Sequence, residues 1–288
     1  MRLLIAVVCA CVGIHAQNFD EYQVFRAAAG YTFTEGLVWT PDAYLMFSDV
    51  PANRIWKLAP GEKPTLFRDD SGGAAGNDFD AKGLLYTCES RARRVTRTDK
   101  RGRVEVLADS WEGKKLNAPN GIVVRKDGHV YFTDPAFGAA SDTRELDFYG
   151  VYHISPKGEL ELAARWQTRP NGVGLSPDGK LLYVTNSDER TVVVFDLDRA
   201  GKASGERVLI RGITGPPDGL TVDEKGNLYI AATEVEAYSA AGEHLHTIEV
   251  TDKPSDCAFG DPDHGTLYMS AHSVVYAVRL GVKGAWQH

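Results

Sequence analysis

Along most of this chain apolar and polar residues alternate with a period of two, in runs of four to six residues. Such alternation puts successive side chains on opposite faces of a strand. Short clusters of Pro, Asp, Gly and Lys separate the runs, as in Thr40-Pro41-Asp42, Lys126-Asp127-Gly128 and Ser176-Pro177-Asp178-Gly179. Asp-Gly and Lys-Gly between two alternating runs predict tight hairpins. No segment keeps a helical period, so an all-β fold is expected.

The hairpins repeat. Glu35-Gly36-Leu37-Val38-Trp39, a turn, then Leu45-Met46-Phe47-Ser48-Asp49 is the first copy, and Asn120-Gly121-Ile122-Val123-Val124, a turn, then Val130-Tyr131-Phe132-Thr133-Asp134 is the third. Glu35, Asn77, Asn120, Asn171, Asp218 and Asp256 mark the six copies at intervals of roughly 40–50 residues, the length of one four-stranded blade. Six such units close into a six-bladed β-propeller, which leaves no long sheet edge open.

Composition adds limits. The hydrophobic share of 43% is that of a globular protein. A formal charge of −7 leaves no basic stripe to neutralise phosphates, so no nucleic-acid partner is expected. Arg2 followed by the apolar run Leu3 to Ile14 and small Ala16 reads as an export signal, removed to leave a single propeller domain over 17–288. The mature chain is then expected to be periplasmic or secreted, free of the membrane and monomeric. Of four cysteines, Cys9 and Cys11 leave with the signal. Cys88 and Cys257 fall in blades two and six, which are not neighbours, so two buried free thiols are expected.

In a propeller the first strand of each blade lines the central channel, so the six markers approach one another at one end. All six are oxygen donors, with no Lys or Arg among them. Burying ionised carboxylates without a counter-charge costs several kcal/mol per group. A hard divalent cation answers that cost, with Ca²⁺ the expected ion and Mn²⁺, Zn²⁺ or Fe²⁺ compatible with the same donors. Any single Asn-Gly or Asp-Gly could equally cap its own turn. The convergence of six is what favours a site. The ends of the second strands, Asp49, Glu89, Asp134, Asn186, Thr233 and His272, reach the same face; Asp134 and His272 are candidate supporting or substrate-contacting residues, and His272 reads first as structural. The basic run Arg91, Arg93, Arg94 and Arg97 reads as a solvated face. A serine nucleophile elbow, a His-Glu-x-x-His pair and a phosphate-cradling glycine loop are all missing from the sequence.

Glu35-Gly36-Leu37-Val38-Trp39, Pro119-Asn120, Phe132-Thr133-Asp134-Pro135-Ala136-Phe137-Gly138, Pro170-Asn171-Gly172 and Pro217-Asp218-Gly219 together resemble the senescence marker protein/gluconolactonase family, which includes regucalcin and bacterial sugar lactonases. The resemblance covers about residues 30 to 280. It implies a metal site formed by Glu35, Asn171 and Asp218, with Asp218 also transferring the proton and Asn120 contacting the substrate. It implies a divalent-metal-dependent hydrolase that opens a sugar-acid lactone to the aldonic acid. Two positions depart from the pattern: Gly121 stands where many relatives carry Asp, and Ala118 where animal members carry Arg. A related metal-dependent esterase and a non-catalytic sugar- or calcium-binding propeller are the alternative readings.

Overall fold

The computed structural model describes residues 22–285. The residues proposed as an export signal lie outside that range. The Pro/Asp/Gly/Lys clusters are the hairpin turns of the structure. In Asp80-Ala81-Lys82-Gly83, for example, the Asp80 carboxylate accepts the backbone N–H groups of Lys82 and Leu84, both at 2.9 Å, and Gly83 supplies a φ of +76°. Around these turns six four-stranded antiparallel sheets form, one per repeat.

Each sheet runs outward in chain order. In blade one the strands are Thr34–Trp39, Leu45–Asp49, Arg54–Leu58 and Thr65–Asp69. The inner strand is buried at every position, whereas the outermost is mostly exposed. Blade six differs in its origin. Its inner three strands are Pro254–Gly260, Thr266–Ala271 and Val274–Arg279, and its outermost is Phe25–Ala29, which pairs antiparallel with Val274–Arg279. The start of the chain therefore fastens its end, and the ring closes.

The core is divided among six apolar clusters, each lying between two neighbouring blades. Phe132 and Tyr152 of blade three, for instance, meet Tyr86 and Cys88 of blade two. Burying one such side chain contributes about 1.5–3 kcal/mol. Stability thus accrues at the blade interfaces, and these interfaces set how closely the inner strands approach. Cys88 and Cys257 are buried free thiols, as expected. Among the described residues no helix is long and apolar enough to cross a membrane.

Candidate functional site

A cavity of about 150 Å³ follows the ring axis, bordered towards one face by Glu35, Asn77, Asn120 and Asp256 and towards the other by Trp39 and Phe259. Around its neck the blades meet through backbone. The N–H groups of Gly76, Gly172 and Gly219 donate to the carbonyls of Asn120, Asp218 and Ser255 in the next blade, at 2.8–3.1 Å. A Cβ placed on Gly36, Gly76, Gly121 or Gly172 would overlap the following blade's backbone carbonyl. The glycine after each donor residue is therefore required by close approach, in addition to any turn.

These contacts define which residues are equivalent around the ring: Glu35, Ala75, Asn120, Asn171, Asp218 and Ser255. Four of the six sequence markers hold that position. In blade two it belongs to Ala75, and in blade six to Ser255. Asn77 lies deeper and is committed to the fold: its amide donates to Ser48 Oγ (2.8 Å) and the Gly36 carbonyl (3.0 Å), and its oxygen accepts from Thr87 Oγ1 (3.1 Å). Asp256 sits at the position held by glycine in the other blades.

Local irregularities aim the donors. Residue pairing between the first two strands slips between Glu35 and Val38, and again between Pro170 and Val173, so Glu35 and Asn171 stand on bulges. Gly36 takes a φ of +58° there. Asn120 and Asp218 immediately precede short inner strands, Ile122–Val124 and Leu220–Val222. The Asn120 N–H donates to the Thr133 carbonyl (2.9 Å) and the Asp218 N–H to the Ala231 carbonyl (2.7 Å). Hydroxyls tie the blades together behind the donors: Thr133 Oγ1 donates to the Asn171 carbonyl at 2.6 Å and Thr185 Oγ1 to the Asp218 carbonyl at 2.7 Å.

Among the described residues no ion pair joins the Glu35, Asp218 and Asp256 carboxyls to a basic side chain. Burial pushes the Glu35 carboxyl well above its ordinary range, and the charges of Asp218 and Asp256 push it further. Burial also raises Asp218 to about 7, against the opposing influence of Lys253 and the Asn171 amide. Asp256 is raised to about 7 by burial, with the Cys257 and Leu37 N–H groups opposing and the Asp218 charge adding to it. The Asn171 amide nitrogen donates to Ser187 Oγ at 3.1 Å, while its buried oxygen has no donor among the described residues. Two carboxylates and an unsatisfied amide oxygen suit a hard cation. Among the described residues no three His, Cys, Asp or Glu side chains converge as metal ligands. The expected set contains two such side chains and relies on Asn171 for its third donor.

The second ring supports the first through hydrogen bonds and ion pairs. The Asp134 carboxylate accepts the N–H groups of Asn117 (2.8 Å) and Ala118 (2.9 Å), which holds the segment leading to Asn120; burial raises its pKa to about 7. Asp49 does the same for Thr32 and Phe33 before Glu35, at 3.0–3.2 Å. Glu89 pairs with Arg68 (2.7 Å) and Arg94 (2.6 Å). Asn186 accepts from the Glu189 N–H (3.0 Å) and donates to Thr168 (2.8 Å). His272 is exposed and contributes through its backbone carbonyl, which accepts from the Thr34 N–H at 2.7 Å. In the basic run, Arg93 braces the Leu116 carbonyl (2.6 Å), and Arg94 and Arg97 pair with Glu89 and Glu105, so these guanidiniums are engaged away from the channel. Ser187, Thr133 and Thr185 were missed in the sequence reading. Their signal was present in the hydroxyl residues that recur in or just beyond the second strands.

The architecture is a six-bladed propeller whose equivalent neck positions carry Glu35, Asn120, Asn171 and Asp218. Residues 33–273 match the model of the SMP-30/Gluconolactonase/LRE-like region, and the chain belongs to that family. It is 34% identical over 290 residues to a gluconolactonase of Zymomonas mobilis, covering 89% of this chain and 81% of the relative. It is 27% identical over 248 residues to a pentonolactonase of Haloferax volcanii, covering 82% and 80%. A solved gluconolactonase structure from Xanthomonas campestris superposes with a TM-score of 0.85 at 28% identity, over 92% of this chain and 91% of that one.

Proposed function

We propose that this chain hydrolyses sugar-acid lactones and works with one divalent cation, Ca²⁺ first, held by Glu35, Asn171 and Asp218. The observation that carries the reading is the buried Asn171 oxygen, which has no donor among the described residues, beside carboxyls whose pKa values are raised by burial. The lactonase names of the similar proteins supply the substrate class.

A bound cation would polarise the lactone carbonyl and stabilise the oxyanion that develops there. Asp218, half-buried at the channel mouth, accepts the proton of the attacking water. Its backbone is fixed on both sides, through its N–H to Ala231 and its carbonyl to Gly172 and Thr185, so the main chain that carries the carboxylate is held in one place. Glu35 and Asn171 complete the donor set. Asn120, half-buried on the channel wall, holds the ring oxygen or a hydroxyl of the sugar. Gly121 offers no carboxylate to this site, and the structure gives the reason: a Cβ there would overlap the Asn171 carbonyl.

The test is hydrolysis of glucono-1,5-lactone by the purified chain, before and after chelation, with Ca²⁺, Mn²⁺ and Zn²⁺ added back. Activity lost to chelator and restored by one ion is the expected result. A rate no faster than the spontaneous one under every ion would overturn gluconolactone hydrolysis and favour another ester substrate or a binding propeller. Export after Ala16 belongs to the same reading and rests on residues 1–16. The mature protein is expected to begin at Gln17, and an intact mass that includes residues 1–16 would rule this out.

A further inference from the structure

The neck of the channel breaks its own symmetry at one point. Five blades place glycine immediately after the ring position, at Gly36, Gly76, Gly121, Gly172 and Gly219. Blade six places Asp256 there. Blade six also lies between the two blades that supply Glu35 and Asp218, so its aspartate is inserted between the carboxylates of the proposed cation site.

Its contacts reach both neighbours. Asp256 Oδ2 accepts the N–H of Leu37 at 2.8 Å, across the junction where the ring closes, and Oδ1 accepts the N–H of Cys257 at 2.8 Å. The preceding Ser255 donates its hydroxyl to the Thr34 carbonyl at 2.7 Å. Blade six thus grips residues 34 and 37, one before Glu35 and one within the bulge that follows it. On the other side the carboxylate packs against Gly219, where a Cβ would collide with it, directly beside Asp218. Leu37 could obtain an acceptor from a neutral side chain. A carboxyl here adds a third acidic group to the neck and, among the described residues, no basic side chain pairs with it.

We infer that Asp256 is a positioning residue for the cation site: it clamps the Glu35 bulge from the neighbouring blade and adds the negative charge that tightens cation binding. The inference rests on the cation reading given above. Cation affinity in oxygen-donor sites is set by ligand charge and by site rigidity, and Asp256 contributes to both.

Two substitutions separate the contributions. Asp256→Asn keeps an acceptor for Leu37, gives up the one for Cys257 and removes the charge. Asp256→Gly removes both acceptors and the charge and installs the residue that five blades already accommodate, so it preserves a foldable neck if the amide variant does not. Calorimetric titration of chelator-stripped protein with Ca²⁺ is expected to show about tenfold weaker binding for Asp256→Asn, and about a hundredfold for Asp256→Gly. The cation-free melting temperature of Asp256→Asn is expected to stay close to that of the wild type, because the lost Cys257 bond is offset by removal of an uncompensated acidic group. Binding within twofold of wild type in both variants would overturn the inference. So would a fall in cation-free melting temperature large enough to account for the lost affinity, which would make Asp256 merely structural. If the wild-type chain itself binds no Ca²⁺, Mn²⁺ or Zn²⁺, the cation reading fails first and this inference falls with it.

Discussion

Asp218→Asn is expected to lower lactone turnover by about 10³-fold while the protein remains folded. The two side chains are nearly isosteric, and the backbone bonds that place residue 218, to Ala231, Gly172 and Thr185, do not involve the carboxylate. An amide cannot accept a proton from water, which removes the proposed base. It also removes one charge from the cation site, so the measurement must be made with the cation at saturation. A kcat that stays low there assigns the loss to proton transfer. A kcat restored to more than about a tenth of wild type would show that another group takes the proton, with Glu35 and Asp256 the remaining carboxyls of the site.

The second large effect concerns stability and pH. Glu35 is held well above its ordinary range, and Asp218, Asp256 and Asp134 are raised to about 7, each chiefly by burial. In the unfolded chain these groups return to ordinary carboxyl values near 4. Between about pH 4 and 7 the folded state therefore binds more protons than the unfolded state, and the free energy of unfolding falls as pH rises. The stabilisation is complete below the unfolded values and is lost as pH passes through about 7. For cation-free protein this predicts a melting temperature that declines from pH 5 to pH 8, by on the order of 10 °C. Below about pH 4 surface carboxylates held down by partners, such as Asp188 with Arg169, lose stability in the opposite sense, which places the maximum in mild acid. Ca²⁺ binds the ionised carboxyls, so its stabilising effect is expected to grow with pH and reach about 2.7 kcal/mol at a hundredfold excess over Kd. Differential scanning fluorimetry from pH 5 to 8, with chelator and with Ca²⁺, reads both slopes. A flat profile in chelator would contradict the burial of uncompensated charge at the neck.

Much of the molecule was legible before its structure because the responsible signals are local. A hairpin such as Asp80–Gly83 is specified by a carboxylate two and four residues from the N–H groups that it accepts and by a glycine at positive φ. Six such hairpins at blade spacing are enough to indicate a ring. Glu35, Asn120, Asn171 and Asp218 were visible because each is followed by a glycine, and the glycine is dictated by contact with the next blade.

What the sequence could not show depends on contacts between distant residues. The equivalence of Ala75 and Ser255 with the donors of the other blades follows from bonds across blade junctions; a two-residue offset preserves alternation, and the pairing irregularities before Asn77 and Asp256 hide the rest. Asp134 reads as a supporting or substrate-contacting residue, and only tertiary packing shows that it fastens the backbone ahead of Asn120, as Asp49 does ahead of Glu35. Closure by Phe25–Ala29 pairs residues about 250 positions apart, a register that only the completed ring can select. The sequence by itself determined the hairpins, the number of blades and the chemical type of the donors, because each depends on residues close together in the chain. The tertiary structure alone decided which donors share one height of the channel, and that Asp256 stands between Glu35 and Asp218, because these follow from how tightly six separately specified sheets pack about a common axis.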